Sequence, residues 1–340
     1  MDAAFAVRRG LDELIDFFST HPAAIGPLQD NAVESLLDAS YAAGNMPALK
    51  ASALQEARAV LTPLLRSYLE RPIAQVSCNQ YSSLLSFTIY AHTLLPPTDP
   101  RTGEMIRRTN IALHDCGSIE AAMKTDYRRT LANAYASTDA LFDLAMWSIS
   151  FTDAQTINGL ELPPDAQALP PALWQYIRRY SFPTAYDHTE GAANPMFYDA
   201  AYLATHLAYI PTGYGRYPIY IEDAPNLYRF LRENFYAVLA FGELDLTAEF
   251  VDLFRQYGCT EQNDLQLRDG TRYLLKLFHG AGDHWMAYRE PGSTSQPSDY
   301  DLIHAAWTGM SAVRARVPEP AAMGTYGGVV RAWLGQAAPE

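Results

Sequence analysis

Two histidines occupy positions where a helix of this composition would be expected to carry apolar side chains. His206 stands in AAYLATHLAYI, and His304 has a similar setting in DLIHAAW. Because imidazole titrates near neutral pH, either residue could serve as a catalytic base or a ligand. The alternative is a core histidine that is hydrogen-bonded to a backbone carbonyl or a tyrosine. We predict that His206 and His304 transfer protons and face a cavity.

Two carboxylates share one helix face among apolar neighbours. Asp245 and Glu249 are four residues apart, which brings their side chains to the same side of a helix. In a cavity, paired carboxylates raise one pKa and can hold a proton ready for transfer. On a solvated face they only repel weakly, and Asp252, which continues the acidic side, favours that alternative. We predict Asp245 and Glu249 as acids or as orienting partners.

A third polar cluster follows the apolar helix in TRYLLKLFHGAGDHW, residues 271–285. Its residues His279, Asp283 and His284 are of types that bind divalent metals. A loop does not fix the geometry of such side chains, so no cofactor is favoured. A metal-dependent enzyme with these three ligands is kept as an alternative.

Aromatic residues crowd the region around the histidines. The chain has 22 tyrosines, and an aromatic wall with hydroxyl groups suits an apolar or cyclic small molecule. The same side chains could equally fill helix interfaces. The predicted substrate-binding residues are Tyr202, Tyr209, Tyr214, Trp285 and Trp307.

Two further segments are polar or rich in glycine. Asp187-His188 with Glu190 lies in a polar stretch that is predicted to be a surface loop or a cap over the cavity mouth. The GYG at 213–215 follows no strand and predicts only a turn, and no G-x-S-x-G elbow is present. These observations exclude the common nucleotide-binding and serine-hydrolase patterns.

The charge balance excludes one large class of partners. The formal net charge is -13, and no basic run interrupts it, so a nucleic acid is not expected to bind. No stretch approaches the roughly 20 apolar residues that span a bilayer. The amphipathic start of the chain lacks the apolar segment of a signal peptide. We therefore predict a cytoplasmic protein, with no indication of its oligomeric state.

Three cysteines are widely separated in the chain. Cys78, Cys116 and Cys259 form no C-x-x-C pair, and no export signal precedes them. The sequence therefore predicts buried thiols and no disulfide framework.

Apolar residues recur with the helical period along most of the chain, which predicts an all-α fold. The stripe formed by Leu11, Leu14, Ile15 and Phe18 is one example. The stretch 119–149 contains no Gly or Pro and predicts one long helix, or two joined near Asn133.

Turn-forming and capping residues predict where the remaining helices and loops begin and end. Prolines, Asn and Gly in 150–171 predict the longest loop of the first half, a soft boundary inside a single domain that covers 1–340. Pro195 is expected to open a helix, Asp223 to cap the next, and Ser298 to begin the last strong one. The best strand candidate, 217–221, is short.

The order of apolar helix, glycine-containing loop and tryptophan over residues 195–312 resembles the α/α-toroid superfamily. These six-hairpin barrels include terpenoid cyclases, protein prenyltransferases and lanthionine cyclases. The resemblance implies a ring of helical hairpins around a central cavity.

The motifs of the individual toroid families are not reproduced. The segment 243–246, ELDL, lacks the consecutive aspartates of class II terpenoid cyclases. Phe278-His279-Gly280 has no cysteine where lanthionine cyclases have one, and Asp115-Cys116 differs from the Asp-x-Cys of prenyltransferases. The resemblance therefore implies a fold and no particular reaction.

Together these features predict a small-molecule enzyme of the lyase, isomerase or cyclase type, with His206, Asp245, Glu249 and His304 at its active site. Two alternatives remain at this point: the metal-dependent enzyme, and a non-catalytic helical binding or scaffold protein. A scaffold would disperse the histidines in a packed core, whereas an enzyme would bring these side chains to one cavity.

Overall fold

The computed structural model describes residues 3–44, 46–182, 195–289, 295–314 and 324–337, and it confirms the all-α prediction. Within these ranges no residue belongs to a strand, including the candidate 217–221. The α-helices in chain order are α1 (Ala3–Thr20), α2 (Ile25–Leu28), α3 (Asp30–Ala42), α4 (Pro47–Leu69), α5 (Tyr81–Leu94), α6 (Pro100–Cys116), α7 (Ile119–Met123), α8 (Tyr127–Ala132), α9 (Thr138–Ala154), α10 (Pro164–Ile177), α11 (Pro195–Thr212), α12 (Pro225–Phe241), α13 (Leu244–Gln256), α14 (Leu265–Gly280), α15 (Asp299–Val313) and α16 (Gly324–Ala337). Short 3-10 turns lie at Pro22–Ala24, Ile73–Gln75, Cys78–Gln80 and Ile221–Asp223.

Side-chain caps fix where several of these helices begin. Ser298 accepts the backbone N–H of Asp301, whose carboxylate accepts the N–H of Ser298, a reciprocal capping box at the start of α15. Ser118 caps α7 through the N–H of Ala121. The predictions that Ser298 starts a helix and that Pro195 opens one are confirmed.

Six helices are joined by a continuous series of contacts that runs from one to the next. Helix α3 packs against α15, α15 against α13, α13 against α11, and α11 against α9. Helix α5 contacts both α9 and α3. Each of the other long helices packs on one or two of these six helices. They are α1, α4, α6, α10, α12 and α14. The polar residues singled out in the sequence lie on α11, α13 and α15.

Helix α1 is tied to the segment after α14 by one buried carboxylate. Glu13 is 8% exposed, and its Oε2 accepts the backbone N–H groups of Trp285 and Met286, both at 3.0 Å. The indole N–H of Trp285 donates to the carbonyl of Ala6 at 2.8 Å. These bonds hold the beginning of the described chain against its C-terminal half.

Several predicted boundaries were wrong. Residues 119–149 belong to three helices, α7, α8 and α9, although the break near Asn133 is where it was expected. The predicted loop 150–171 is only the segment 155–163, because α9 continues to Ala154 and α10 begins at Pro164. Asp223 does not cap α12, whose N-cap is Ala224; its carboxylate instead accepts the N–H of Tyr220. Helix α16 follows α15.

The cysteine prediction was also wrong. Cys78 and Cys116 form a disulfide with an S–S distance of 2.07 Å, while Cys259 is free and half-buried. The helical hairpin of α5 and α6 brings the two sulfurs together, since Cys78 lies just before α5 and Cys116 ends α6. Sequence separation alone could not reveal this proximity.

None of the described helices combines the length and the apolar content that a bilayer crossing requires.

Candidate functional site

A cavity of about 180 Å³ lies between α3, α9, α11, α13 and α15. Each helix contributes wall residues, for example Asp38, Met146, Tyr209, Glu249 and Trp307. A second cavity of about 210 Å³ is lined by Asp245 and His304. Because His304 lines both spaces, the two compartments adjoin at this residue.

His206 is held as a neutral imidazole of defined tautomer. Its Nδ1 donates to the Tyr202 carbonyl oxygen at 2.9 Å. A carbonyl only accepts, so Nδ1 carries the proton and Nε2 keeps its lone pair. Burial lowers the pKa of His206 to about 4. At neutral pH the His206 ring is therefore a hydrogen-bond acceptor in the cavity wall.

Glu249 lies on the same wall and is 7% exposed. Its Oε2 is 3.9 Å from His206 Nδ1 and accepts the hydroxyl of Thr205. Burial raises the pKa of Glu249 well above its usual range, and the charge of Asp245 raises it further. Asp252, 5% exposed, also has a raised pKa because it is buried. The solvated alternative for this acidic face is therefore wrong.

Asp245 connects Tyr202 to His304. Its Oδ2 accepts the Tyr202 hydroxyl at 2.6 Å, and its Oδ1 lies 3.6 Å from His304 Nδ1. Oδ1 is buried and has no hydrogen-bond partner. The His304 ring stacks on Tyr300 with 4.8 Å between centroids and meets the edge of Trp307 at 5.2 Å. These contacts fix the imidazole between a carboxylate and two aromatic rings.

Helix α3 supplies a second acidic wall that the sequence interpretation missed. Asp38 accepts the Trp307 indole N–H at 2.7 Å, and burial raises its pKa to about 7, opposed chiefly by the charge of Arg216. Burial also raises the pKa of Glu34 well above its usual range, with further contributions from Asp38 and Asp30. The signal was present as acidic residues at 30, 34 and 38, one helical turn apart in an apolar helix.

Two arginines near the cavity are each paired with a carboxylate. Arg314 lies 2.5 Å from Asp252 and also donates to the carbonyl of Gly215. Arg216 lies 2.8 Å from Asp153.

The predicted aromatic residues divide into three groups. Tyr209, Tyr214 and Trp307 line the cavity. Tyr202 joins the site through its bond to Asp245. Trp285 does not reach the cavity: its ring is fully buried against Gly309 and Gly10 in the seam between α1 and α15.

Tyr214 reaches the cavity from an unusual backbone conformation. Its φ is +56°, between Gly213 at +57° and Gly215 at +77°. Three consecutive left-handed residues reverse the chain after α11, and only the central one carries a side chain beyond Cα. Its hydroxyl lies 3.1 Å from the sulfur of Met146. The GYG segment is a turn, as predicted, and it also places an aromatic ring in the wall.

The predicted metal residues do not meet as a set. His279 Nδ1 contacts Asp283 at 2.5 Å, whereas His284 Nδ1 contacts Glu13 at 3.0 Å. Across the described ranges, no group of three or more His, Cys, Asp or Glu side chains is arranged to hold a metal ion. The Asp187, His188 and Glu190 cluster lies outside the described residues.

The structure thus brings His206, Glu249 and His304 to one cavity, with Asp245 beside His304 in the next compartment. Comparison with protein-family models, with curated proteins and with solved structures finds no match to this chain.

Proposed function

We propose that the chain is an enzyme that transfers protons to and from a small molecule, as a lyase, isomerase or cyclase. One observation carries the proposal: His206, Glu249 and His304 line one cavity, and Asp245 lies 3.6 Å from His304. Acid–base enzymes require such a convergence, whereas a packed helical scaffold does not.

The two sides of the cavity would have different roles in proton transfer. Burial raises the pKa of Glu249 well above its usual range, which favours the protonated form that can donate a proton to the substrate. His304, oriented by the Asp245 carboxylate, accepts a proton from the substrate. A pKa of about 4 makes His206 a weak base, and we assign it the role of a hydrogen-bond acceptor through Nε2. Tyr202 positions Asp245.

We also propose that the fold is an α/α toroid. The contacts of α3, α5, α9, α11, α13 and α15 pass from each helix to the next and return from α15 to α3. Such a closed circuit, with other helices packed outside it, is what a ring of helical hairpins requires. The cavity would then be its centre.

Neither alternative has a specific observation in its favour. The metal-dependent enzyme would need His279, Asp283 and His284 to converge, and they pair with different partners. A scaffold would need the histidines to be dispersed, whereas His206 and His304 share a cavity.

Deuterium exchange tests the reaction class without a known substrate. The protein is incubated in D₂O with a mixture of small metabolites, and mass spectrometry follows deuterium incorporation at carbon. We expect at least one compound to gain deuterium with the wild-type protein. Glu249→Gln should slow this by about 100-fold, the usual contribution of a general acid. His92→Asn, at an exposed position on α5, serves as the control. Incorporation equal to that of a protein-free sample would reject the proposal.

A further inference from the structure

The cavity walls carry more carboxyl groups than cations. Glu34, Asp38, Glu249 and Asp252 all line the space. Of these, Asp252 has an arginine ion pair, with Arg314. The imidazole beside Glu249 is neutral, as argued above. Three wall carboxyls are therefore left without a permanent cationic partner among the described residues.

The charge of Arg216 offsets this imbalance only in part. Arg216 lowers the pKa of Asp38 and Glu34 through its charge. Its guanidinium nevertheless forms its 2.8 Å ion pair with Asp153 and its ring contact with Tyr41. It lines an adjoining cavity of about 50 Å³ together with Asp153, Glu34 and Asp38.

Aromatic rings form much of the remaining wall. Phe142, Tyr209, Tyr214, Tyr300 and Trp307 line the same space. The faces of such rings attract cations electrostatically, and the attraction increases when water is excluded. Carboxyl groups and aromatic faces around one void are the chemistry that recognises alkylammonium groups.

A second observation, independent of the acidic cluster, is an unpartnered polar group in the wall. Tyr209 is 8% exposed and lines the cavity. Its hydroxyl has no hydrogen-bond partner among the residues that the structure describes. A hydroxyl that lines a cavity and has no protein partner is free to accept a hydrogen bond from a ligand. A ligand that donates a hydrogen bond would satisfy it.

The volume of the cavity limits the size of the ligand. An apolar cavity of about 150 Å³ holds a benzene molecule, and this one has about 180 Å³. One ring or a short alkyl body with a single charged group would fill it. A purely apolar ligand would bury the wall carboxyls without compensating hydrogen bonds or charge.

From these observations we propose that the cavity binds an organic ammonium ion with a small aromatic or alkyl body, held between the carboxyls of α3 and α13 and the aromatic wall. This inference rests on the proposed function, since it names the substrate class of the same site. It replaces the apolar substrate expected from the sequence by a cationic one.

Three molecules of similar shape and different charge test the inference. Binding of benzylammonium, benzyl alcohol and benzoate is measured by titration calorimetry and by ligand-observed NMR at pH 7.5. We expect benzylammonium to bind at least about tenfold more tightly than benzyl alcohol and benzoate not to bind. Equal affinity for benzylammonium and benzyl alcohol would overturn the inference, as would no benzylammonium binding at millimolar concentration.

Variants connect this preference to the cavity. Glu34→Gln and Asp38→Asn should each reduce the preference for the cation about tenfold, and Tyr209→Phe should weaken the binding of benzylammonium. Glu70→Gln, which removes an exposed charge at the end of α4, controls for the attraction of cations to a protein of net charge -13. A preference unchanged in both cavity variants would contradict the site.

The two proposals can fail separately. If deuterium exchange is found without a preference for the cation, the acid–base enzyme proposal stands and the ammonium ligand is rejected. If the cation is preferred but no deuterium exchange is found, the cation-binding cavity stands and the proposed proton-transfer reaction is rejected.

Discussion

At the scale of single residues, the central fact is that carboxyl groups are buried without enough positive charge to compensate them. Asp38 shows the consequence for stability. Its pKa is about 7 in the folded protein, against 3.8 for an unperturbed aspartate, because burial disfavours the ionised form. Between about pH 4 and pH 7 the folded protein therefore binds a proton that the unfolded chain releases. The stability contributed by Asp38 is present below pH 4 and decreases as the pH rises to 7.

Asp38→Asn should remove this pH dependence. Asparagine can still accept the Trp307 N–H through Oδ1, and it cannot ionise. We expect the variant to raise the free energy of unfolding by about 2–4 kcal/mol at pH 8 and to leave it nearly unchanged at pH 4. Urea unfolding at both pH values measures the difference. Asp143→Asn, an exposed position on α9, should change it little, and an equal effect of Asp38→Asn at both pH values would contradict the assignment.

Gly215 determines whether Asp252 and Arg314 can meet. Its φ is +77°, and a Cβ there would lie 2.5 Å from Asp252 Oδ2 and 2.6 Å from Gln256 Nε2. Gly215→Ala should therefore destabilise the protein by about 2–4 kcal/mol, through backbone strain and displacement of a buried ion pair. Gly117→Ala is the matched control, because its φ is also +77° with no atom within 4 Å of the added Cβ. It should cost only about 1 kcal/mol. Equal losses in the two variants would show that strain alone acts at Gly215.

At the scale of helices, α1 and α15 can approach closely because Gly309 leaves room for Trp285. A Cβ on Gly309 would collide with three carbons of the fully buried indole ring. Gly309→Ala should lower the free energy of unfolding by about 2–3 kcal/mol through overpacking. Gly103→Ala, also inside a helix but with open space around it, should leave stability unchanged or raise it by up to about 1 kcal/mol. Thermal and urea unfolding of both variants check this, and a neutral Gly309→Ala would contradict the tight seam.

The helices that could be predicted from the sequence are those whose local signals agree with their packing. Helix α15 combines a Ser298 capping box with apolar residues at helical spacing, and its start was predicted correctly. The first part of helix α10, residues 164–171, was predicted as loop because of its prolines, which include Pro170 inside the helix. Prolines remove backbone hydrogen bonds and normally end helices. Here the burial of Leu169 and Trp174 on either side of the prolines outweighs that local preference.

The candidate site was predictable only in part, for a similar reason. His206, Asp245, Glu249 and His304 were recognisable because ionisable residues interrupt strongly apolar helices. Helix α3, DNAVESLLDASYA, appears amphipathic, and its acidic stripe is typical of a solvated face. Only the packing of α3 against α15 turns that stripe inward. Sequence periodicity gives the face of a helix and does not reveal which neighbour covers it.

At the scale of the whole molecule, one covalent link restricts the unfolded chain. The Cys78–Cys116 disulfide closes a loop with a sequence separation of 38 residues. The loop-closure relation gives about 4 kcal/mol of stabilisation for that length. Structural disulfides persist mainly in oxidising compartments, so this bond argues against the cytoplasmic location predicted from the N-terminal sequence.

Reduction should therefore destabilise the molecule as a whole. We expect the Cys78→Ser/Cys116→Ser double variant, and the wild-type protein in dithiothreitol, to lose about 3–4 kcal/mol of unfolding free energy. Cys259→Ser removes the free thiol and should differ from wild type by much less, because it closes no loop. The loss should appear as a lower denaturant midpoint without loss of helix content before the transition. Thiol titration of the unfolded, unreduced protein should count one free cysteine per chain; three free thiols, with a double variant as stable as wild type, would exclude the disulfide and restore the cytoplasmic prediction.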